Sequence, residues 1–349
     1  MYPFVKRSES PLINRMEEKL TRTPQKVMKR SIQQGTMKIN YLAYLDPGKH
    51  QGGGEVVLGR LLEVGRLRGH EIAVTSTDPG TKDRHRNPDL WFLADLFNCP
   101  TLLPQLSKDL IREACRGKYV HFDNAYVDCC NLDYLPCSGS AQEPCPHKSP
   151  WNLKRNLKSG DFGSRCFGQD RLVQELYRNS RLNLFVSPLH QKTVYQVLGL
   201  PQSQPHLVLR PLIDPERFKD QGQERDLEYL FVGAIGEAKG AAALAAQYGN
   251  ADLHLIGASV DGKPPGFGTW HGKVPYLEIP GWMNRAKRFV FLPRWPEPQG
   301  RVVIEAALCG CELVLNGQVG AASFDFDLKD PKNLTGAEEE FWLALEALP

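Results

Sequence analysis

Two glutamates, Glu297 and Glu305, stand eight positions apart on either side of Gly300. The residues around them predict a strand, a proline-rich loop and then a helix that begins at the glycine. The first turn of a helix carries backbone N–H groups without partners, and the helix dipole favours an anion there. Carboxylates accept hydrogen bonds from sugar hydroxyls. The pattern indicates a site for a diphosphate with a sugar on each side. The alternative is a solvated loop carboxylate and an ordinary charge near a helix start.

Other residues could take part in such chemistry. Lys239 follows a predicted strand and could neutralise a phosphate, or be an ordinary surface lysine. Gly52, Gly53 and Gly54 would let the backbone approach a ligand closely, or simply form a tight turn. They lack the G-x-G-x-x-G pattern of a dinucleotide-dependent oxidoreductase. His121 ends a predicted strand and would point into a cleft, with a hydrogen-bonded structural histidine as the alternative.

A segment dense in cysteine, proline, glycine and serine covers residues 127–168. Thiolates suit zinc. The candidate zinc ligands are Cys130, Cys137, Cys145 and Cys166. Their spacing is irregular and contains no C-x-x-C pair, so incidental reduced thiols are the alternative. A loop this long within a compact domain is usually functional or disordered, and this one suits the binding of an acceptor.

Two series of alternating strands and helices must position these residues. In the first, strands are predicted at 39–45, 71–76, 90–94, 119–122 and 182–186, with helices at 55–68 and 171–178. In the second, strands are predicted at 207–209, 229–232, 253–256, 289–292 and 313–315, with helices at 237–247, 276–285 and 301–308. This alternation predicts parallel sheets covered on both faces. Ligands bind at the carboxyl ends of such strands.

Four segments follow from this pattern. Residues 1–36 form a basic extension with eight Lys/Arg against three Glu, either disordered or an arm attracted to anionic lipid. Residues 37–200 form a first, acceptor-side domain, and residues 201–335 form a second domain that binds the donor. Residues 336–349 contain a last helix whose amphipathic face could pack back on the first domain.

The composition excludes several classes of protein. With 349 residues, 41% hydrophobic and 24% charged, the chain is typical of a soluble protein of two domains. Its net charge of +3 is too small to indicate a nucleic-acid partner. No apolar run reaches the roughly 18 residues of a membrane helix, and the N-terminus has no hydrophobic signal segment. We therefore expect a cytoplasmic protein whose nine cysteines are reduced or bind metal. The sequence does not indicate an oligomeric state.

The segment from Glu297 to Gly310 resembles the E-x7-E motif of retaining glycosyltransferases of the GT-B fold, especially family 4. Further segments resemble motifs of that family in the same order along the chain. They are Gly52-Gly-Gly-Glu55, Arg68-Gly-His-Glu-Ile72, Phe185-Val-Ser-Pro188, Arg210-Pro-Leu-Ile-Asp214, Tyr229-Leu-Phe-Val-Gly233, Lys239-Gly240 and His271-Gly-Lys-Val-Pro275. The resemblance covers residues 37–348 and implies an α/β protein in which two Rossmann-like domains face their parallel sheets across a cleft.

The resemblance also implies roles for individual residues. Glu297 would contact the donor sugar and Glu305 the ribose, while the backbone of Gly300, Arg301 and Val302 would contact sugar and phosphate. The remaining donor-binding positions are Gly53, Gly54, Lys239 as the phosphate-binding lysine, and Val274 in the segment that meets the nucleobase. His121 would lie close to the reacting centre. The family's usual arginine is replaced by Ala234, for which Arg301 or Arg294 could substitute.

The expected function is transfer of a sugar from a UDP- or GDP-sugar to an acceptor hydroxyl, with retention and without an obligatory cofactor or metal. The acceptor would be a glycan or a lipid-linked glycan in polysaccharide or glycolipid synthesis, which would allow peripheral contact with the inner face of a membrane. The alternative is a GT-B-like protein that binds a nucleotide or glycan without transfer, which Ala234 favours.

Overall fold

The structure is a computed structural model that describes residues 35–50, 53–96, 108–126 and 171–349. Nearly all of the basic extension and the whole cysteine-rich segment, with the four candidate zinc ligands, lie outside the described residues. The described chain builds two parallel β-sheets, each with its own hydrophobic core.

The first sheet has six strands in the order β2-β1-β3-β4-β5-β6. These strands are β1 (Lys38–Ala43), β2 (Glu71–Thr75), β3 (Leu90–Ala94), β4 (Tyr119–Phe122), β5 (Asn183–Phe185) and β6 (His206–Val208). Every residue of β3 and β4 is buried, because helices cover both faces of a parallel sheet. The helices of this half are α1 (Gly53–Leu67), α2 (Lys108–Arg116), α3 (Arg171–Arg178) and α4 (Pro188–Leu198).

The second sheet has five strands in the order β11-β10-β7-β8-β9. These strands are β7 (Leu227–Val232), β8 (Leu253–Ile256), β9 (Thr269–Trp270), β10 (Ala286–Phe291) and β11 (Glu312–Leu315). The later helices are α5 (Ala241–Tyr248), α6 (Ile279–Arg285), α7 (Arg301–Leu308) and α8 (Ala337–Glu346). Short 3-10 turns cover Glu237–Lys239, Tyr276–Glu278, Gly320–Ser323 and Pro331–Leu334. Within the described ranges, no helix is long and apolar enough to cross a membrane.

Two details of the predicted element pattern are wrong. The strand predicted at 207–209 was assigned to the second series, but β6 pairs with β5 at the edge of the first sheet. The first domain therefore continues past residue 200. The helix predicted at 237–247 is broken at Gly240, whose φ is 85°. A Cβ at this position would overlap the carbonyl oxygen of Leu292, so the chain turns where it passes close to the end of β10.

The chain crosses between the two halves twice. It leaves the first sheet after β6 to enter β7, and it returns after β11 to place α8 on α1 of the first half. The two crossings touch, since Arg210 of the first donates to the Asn333 carbonyl oxygen at 3.4 Å and to Glu340 Oε2 at 2.9 Å.

The returning helix α8 is anchored by one large aromatic side chain. Trp342 is fully buried, and its indole N–H donates to the Leu61 carbonyl oxygen of α1 at 2.9 Å. Its ring lies against Gly65, where any Cβ would overlap it. Arg68 adds ion pairs to Glu339 at 2.7 Å and to Glu346 at 2.5 Å. The last helix of the chain is therefore packed on the first half.

Candidate functional site

A cavity of about 320 Å³ lies between the carboxyl ends of the two sheets. The first half contributes Gly53, Gly54, Val57, Asn124, Ala125 and Val186 to its wall, and the second contributes Val232, Gly233, Lys239, Phe291, Trp295, Glu297, Pro298, Gln299, Gly300, Arg301 and Val302. This is the edge at which open α/β sheets bind ligands.

The start of helix α7 opens into this cavity. Gly300 stands at its N-cap with φ 73°, a left-handed conformation that glycine adopts without strain. No side chain caps the helix, and the Val303 N–H donates to the Gly300 carbonyl oxygen at 2.9 Å. The N–H groups of Arg301 and Val302 therefore precede the helical hydrogen bonds at a position that favours an anion.

Lys239 and Glu297 form an ion pair on the wall of the cavity. The Lys239 ammonium also lies 4.9 Å from the centre of the Trp295 ring and 5.9 Å from that of Phe291. The break at Gly240 ends the 3-10 turn that carries this lysine. Glu297 is 8% exposed and is fixed through its backbone, whose N–H donates to the Gln318 carbonyl oxygen at 2.8 Å. A paired cation and a carboxylate on a hydrogen-bonded backbone therefore share one end of the site.

Glu305 does not line the cavity among the residues that the structure describes. It lies in the second turn of α7, only 2% exposed, where it accepts a hydrogen bond from the Tyr276 hydroxyl at 2.7 Å. Arg301 Nη2 is 4.0 Å from the same oxygen, Oε1. The other oxygen, Oε2, is buried and has no hydrogen-bond partner in the described part of the chain. Burial raises the pKa of Glu305 above its ordinary value, although Tyr276 and Arg301 act in the opposite direction.

This burial gives a pH-dependent prediction for stability. Because the pKa of Glu305 is raised in the folded protein, its ionisation costs stability at neutral pH, and the cost disappears as the pH falls through that pKa towards 4.5. We expect Glu305→Gln to raise the Tm at pH 7.5 and to lose this advantage near pH 4.5. Each unit of pKa shift corresponds to about 1.4 kcal/mol.

Thermal unfolding between pH 4.5 and pH 8 measures this effect, with Glu278→Gln at an exposed position as the matched control. A Glu305→Gln variant that is less stable than the wild type at every pH would contradict the prediction.

The other sequence-predicted donor positions are divided between the cavity and its surroundings. Gly53 borders the Arg301 side chain, and both line the cavity. Val274 packs against the core of the second sheet and is not part of the described cavity wall. Of the two arginines considered as substitutes at Ala234, only Arg301 reaches the cavity, because Arg294 pairs with Glu237 at 2.7 Å outside it.

His121 is not among the described residues that line the cavity. Its side chain is fully buried, and its ring packs edge-on against Tyr177 at 4.5 Å between centroids. Alternation along β4 turns this side chain into the core of the first half. The residue from this strand end that lines the cavity is Asn124, two positions after the strand. The available sequence indication was that two polar residues, Asp123 and Asn124, follow a buried strand.

Side chains of the first half hold the proline-rich loop that carries Glu297. The Tyr126 hydroxyl donates to the Pro296 carbonyl oxygen at 2.7 Å, and the Ser187 hydroxyl donates to that of Pro298. In the other direction, the Gln299 amide donates to the Val186 carbonyl oxygen at 2.9 Å. The loop therefore belongs to both halves of the site.

No group of three or more metal-binding side chains occurs within the described ranges. The predicted zinc ligands lie in the cysteine-rich segment, which these ranges do not include.

Similar architectures occur among solved structures. Sucrose-phosphate synthase from Thermosynechococcus elongatus matches with a TM-score of 0.54 and 14% identity, over 89% of this chain and 90% of that one. Anabaena HepE in complex with UDP matches with a TM-score of 0.50 and 16% identity, over 82% of each chain. No protein-family model matches the chain, and no curated protein matches it in sequence. At these identities the likeness concerns the fold. The two facing parallel sheets have the GT-B architecture, as the sequence predicted.

Proposed function

We propose that the protein is a glycosyltransferase that moves a sugar from a nucleotide diphosphate sugar to an acceptor hydroxyl. One observation carries the proposal. The uncapped start of α7 at Gly300 opens into the same cavity as the Lys239–Glu297 ion pair, so an anion site and a sugar-binding carboxylate are adjacent. The shared fold with Anabaena HepE, which was solved with UDP, supports the same class of donor.

In the proposed reaction, negative charge develops on the diphosphate as the bond to the sugar breaks. The N–H groups of Arg301 and Val302, at positions set before the substrate binds, would stabilise this charge together with the Lys239 ammonium. Lys239 would exchange part of its contact with Glu297 for the phosphate. Glu297 would then be free to accept a hydrogen bond from a hydroxyl of the transferred sugar.

The nucleoside would extend from the start of α7 towards Glu305 and Val274. Glu305 Oε2, which has no hydrogen-bond partner among the residues that the structure describes, could accept a hydrogen bond from a ribose hydroxyl. The backbone around Val274 would meet a uracil or guanine base. An acceptor would enter along the first half, past Gly53 and Gly54.

The finer features of the function also belong to this proposal. We place the reaction in the cytoplasm, with retention of anomeric configuration, no obligatory metal and a glycan or lipid-linked glycan as acceptor. Peripheral contact with a membrane would follow for a lipid-linked acceptor.

A second candidate function is a GT-B-like protein that binds a nucleotide or glycan without transferring a sugar. It is favoured by Ala234, which supplies no charge at the position of the family's arginine, and by the neutralisation of Lys239 by Glu297. Binding of a nucleotide sugar without hydrolysis or transfer across a panel of acceptors would favour this candidate.

Donor binding and hydrolysis test the proposal directly. We expect calorimetry to detect binding of UDP or GDP, with the diphosphate at least about tenfold tighter than its monophosphate, because the second phosphate reaches the helix start. Slow hydrolysis of the matching nucleotide sugar should accompany binding. Absence of binding to every nucleotide in the panel would contradict the assignment.

Glu297→Gln provides a more specific prediction. The amide keeps the shape and one acceptor oxygen but loses the charge, so we expect donor hydrolysis to slow about tenfold while UDP affinity is kept. The measurement compares initial rates of the variant with those of Glu224→Gln, which changes an exposed glutamate. An unchanged rate in Glu297→Gln would remove this residue from the sugar-binding role.

A further inference from the structure

Asp95 has an unusual backbone conformation directly after β3. Its φ is 44°, and it is the only non-glycine residue with a positive φ within the described ranges. Such residues are uncommon and persist only where their surroundings fix them, often at binding sites. Here the backbone is fixed on both sides. The Asp95 N–H donates to the Phe122 carbonyl oxygen at 3.3 Å, and the Tyr44 N–H donates to that of Asp95 at 3.1 Å.

The side chain of Asp95 binds Asn124, the residue that follows β4 and lines the cavity. Its Oδ1 accepts the Asn124 backbone N–H at 3.2 Å, and its Oδ2 accepts the Asn124 side-chain N–H at 2.5 Å. An ionised carboxylate can only accept hydrogen bonds, so the nitrogen of the carboxamide must face Asp95. This determines the orientation of the amide, which is otherwise ambiguous.

The carboxamide is also held from the side by helix α1. A Cβ at Gly54 would overlap the Asn124 amide nitrogen, so only glycine allows the first turn of the helix to lie against this group. Within the described part of the chain, Asn124 Oδ1 has no hydrogen-bond partner, although Asn124 lines the cavity with Lys239 and Glu297. A fixed acceptor oxygen and one remaining N–H are thus available to a ligand.

We infer that the Asn124 carboxamide binds a sugar hydroxyl in the cavity and that Asp95 is its positioning residue. The inference rests on the proposed function, which supplies the sugar. It adds a contact from the first half of the molecule to those from Glu297 and the start of α7. The hydroxyl belongs either to the sugar of the donor or to the attacking acceptor, for which water substitutes during donor hydrolysis.

Two variants test the inference. Asn124→Ala removes the carboxamide, and Asp95→Gly releases it while allowing the positive φ without strain. The probes are UDP, GDP and whichever of UDP-glucose, UDP-N-acetylglucosamine and GDP-mannose the wild type binds best. Calorimetry gives the affinities, and initial rates give kcat for hydrolysis. Asn250→Ala, at an exposed position, is the control for the same chemical change.

We expect both variants to lose roughly tenfold in either the affinity for the nucleotide sugar or kcat for its hydrolysis, which corresponds to one hydrogen bond. Their affinity for the free nucleotide should equal that of the wild type. A loss confined to the affinity for the nucleotide sugar assigns the hydroxyl to the donor. A loss confined to kcat assigns it to the acceptor. Asp95→Gly should keep the Tm of the wild type, which distinguishes lost positioning from a damaged fold.

Wild-type values for both variants, in a protein that binds and hydrolyses the donor, would overturn this inference alone. A wild-type protein that binds no nucleotide sugar would overturn the proposed function and this inference with it.

Discussion

Replacing Lys239 by methionine should reduce donor hydrolysis by about 10²–10³-fold, the largest activity loss that we expect from one substitution. Methionine has a side chain of similar length that can lie against Trp295 and Phe291, where the Lys239 ammonium lies, but it supplies no charge. Electrostatic stabilisation is strongest where charge develops during the reaction, so kcat should fall more than the affinity for UDP. Single-turnover rates with the accepted nucleotide sugar, beside calorimetric affinities for UDP, measure the two effects separately.

The ion pair complicates this experiment, because Lys239→Met leaves the largely buried Glu297 carboxylate without its partner. An unpaired buried charge destabilises a protein. The double variant Lys239→Met/Glu297→Gln removes both charges and should recover the Tm of the wild type without recovering its rate. Recovery of the rate in the double variant would show that the lysine only neutralises Glu297 and does not act on the diphosphate.

Trp342→Ala should produce the largest loss of stability, about 3–5 kcal/mol. The indole is fully buried, stacks on His70 with 4.8 Å between centroids and donates a hydrogen bond to α1. Its removal leaves a cavity against Gly65 that the two rigid helices cannot close. Urea denaturation measures the change in the free energy of unfolding. It is followed by far-UV circular dichroism, because that signal comes from the backbone and not from the removed tryptophan.

Leu343→Ala is the matched control for this variant, since the neighbouring side chain on the same helix is 39% exposed. We expect its effect to stay below about 1 kcal/mol. Equal losses in the two variants would indicate that the contact of Trp342 with α1 contributes no more than a partly exposed side chain of the same helix.

The positions of most buried strands could be predicted from the sequence because each is a short apolar run bounded by glycine, proline or polar residues. The sheet to which each strand belongs was harder to predict. The segment at 206–208 looks like any other strand, and only its pairing with β5 places it in the first sheet. Helix α4 is absent from the predicted pattern, although Ser187 as N-cap and Pro188 as N1 indicate a helix start.

The site was predicted only in part, because local spacing indicates some of its residues and tertiary packing determines the others. Gly300 and Glu297 could be predicted from their local spacing, and both line the cavity. The burial of Glu305 and its contact with Tyr276 depend on tertiary packing that the spacing does not contain. The burial of His121 against Tyr177 depends on tertiary packing in the same way, since the strand predicted at 119–122 has the bounds of β4.

The side-by-side arrangement of the two interdomain crossings has a mechanical consequence. Arg210 ties them together through Asn333 and Glu340, so the two connections between the halves are adjacent. Hinge motions in proteins are absorbed by a few loop or element-terminal residues. Opening the cleft to exchange a nucleotide should therefore change the backbone angles at these two crossings. The largest displacement would occur at the rim furthest from Arg210.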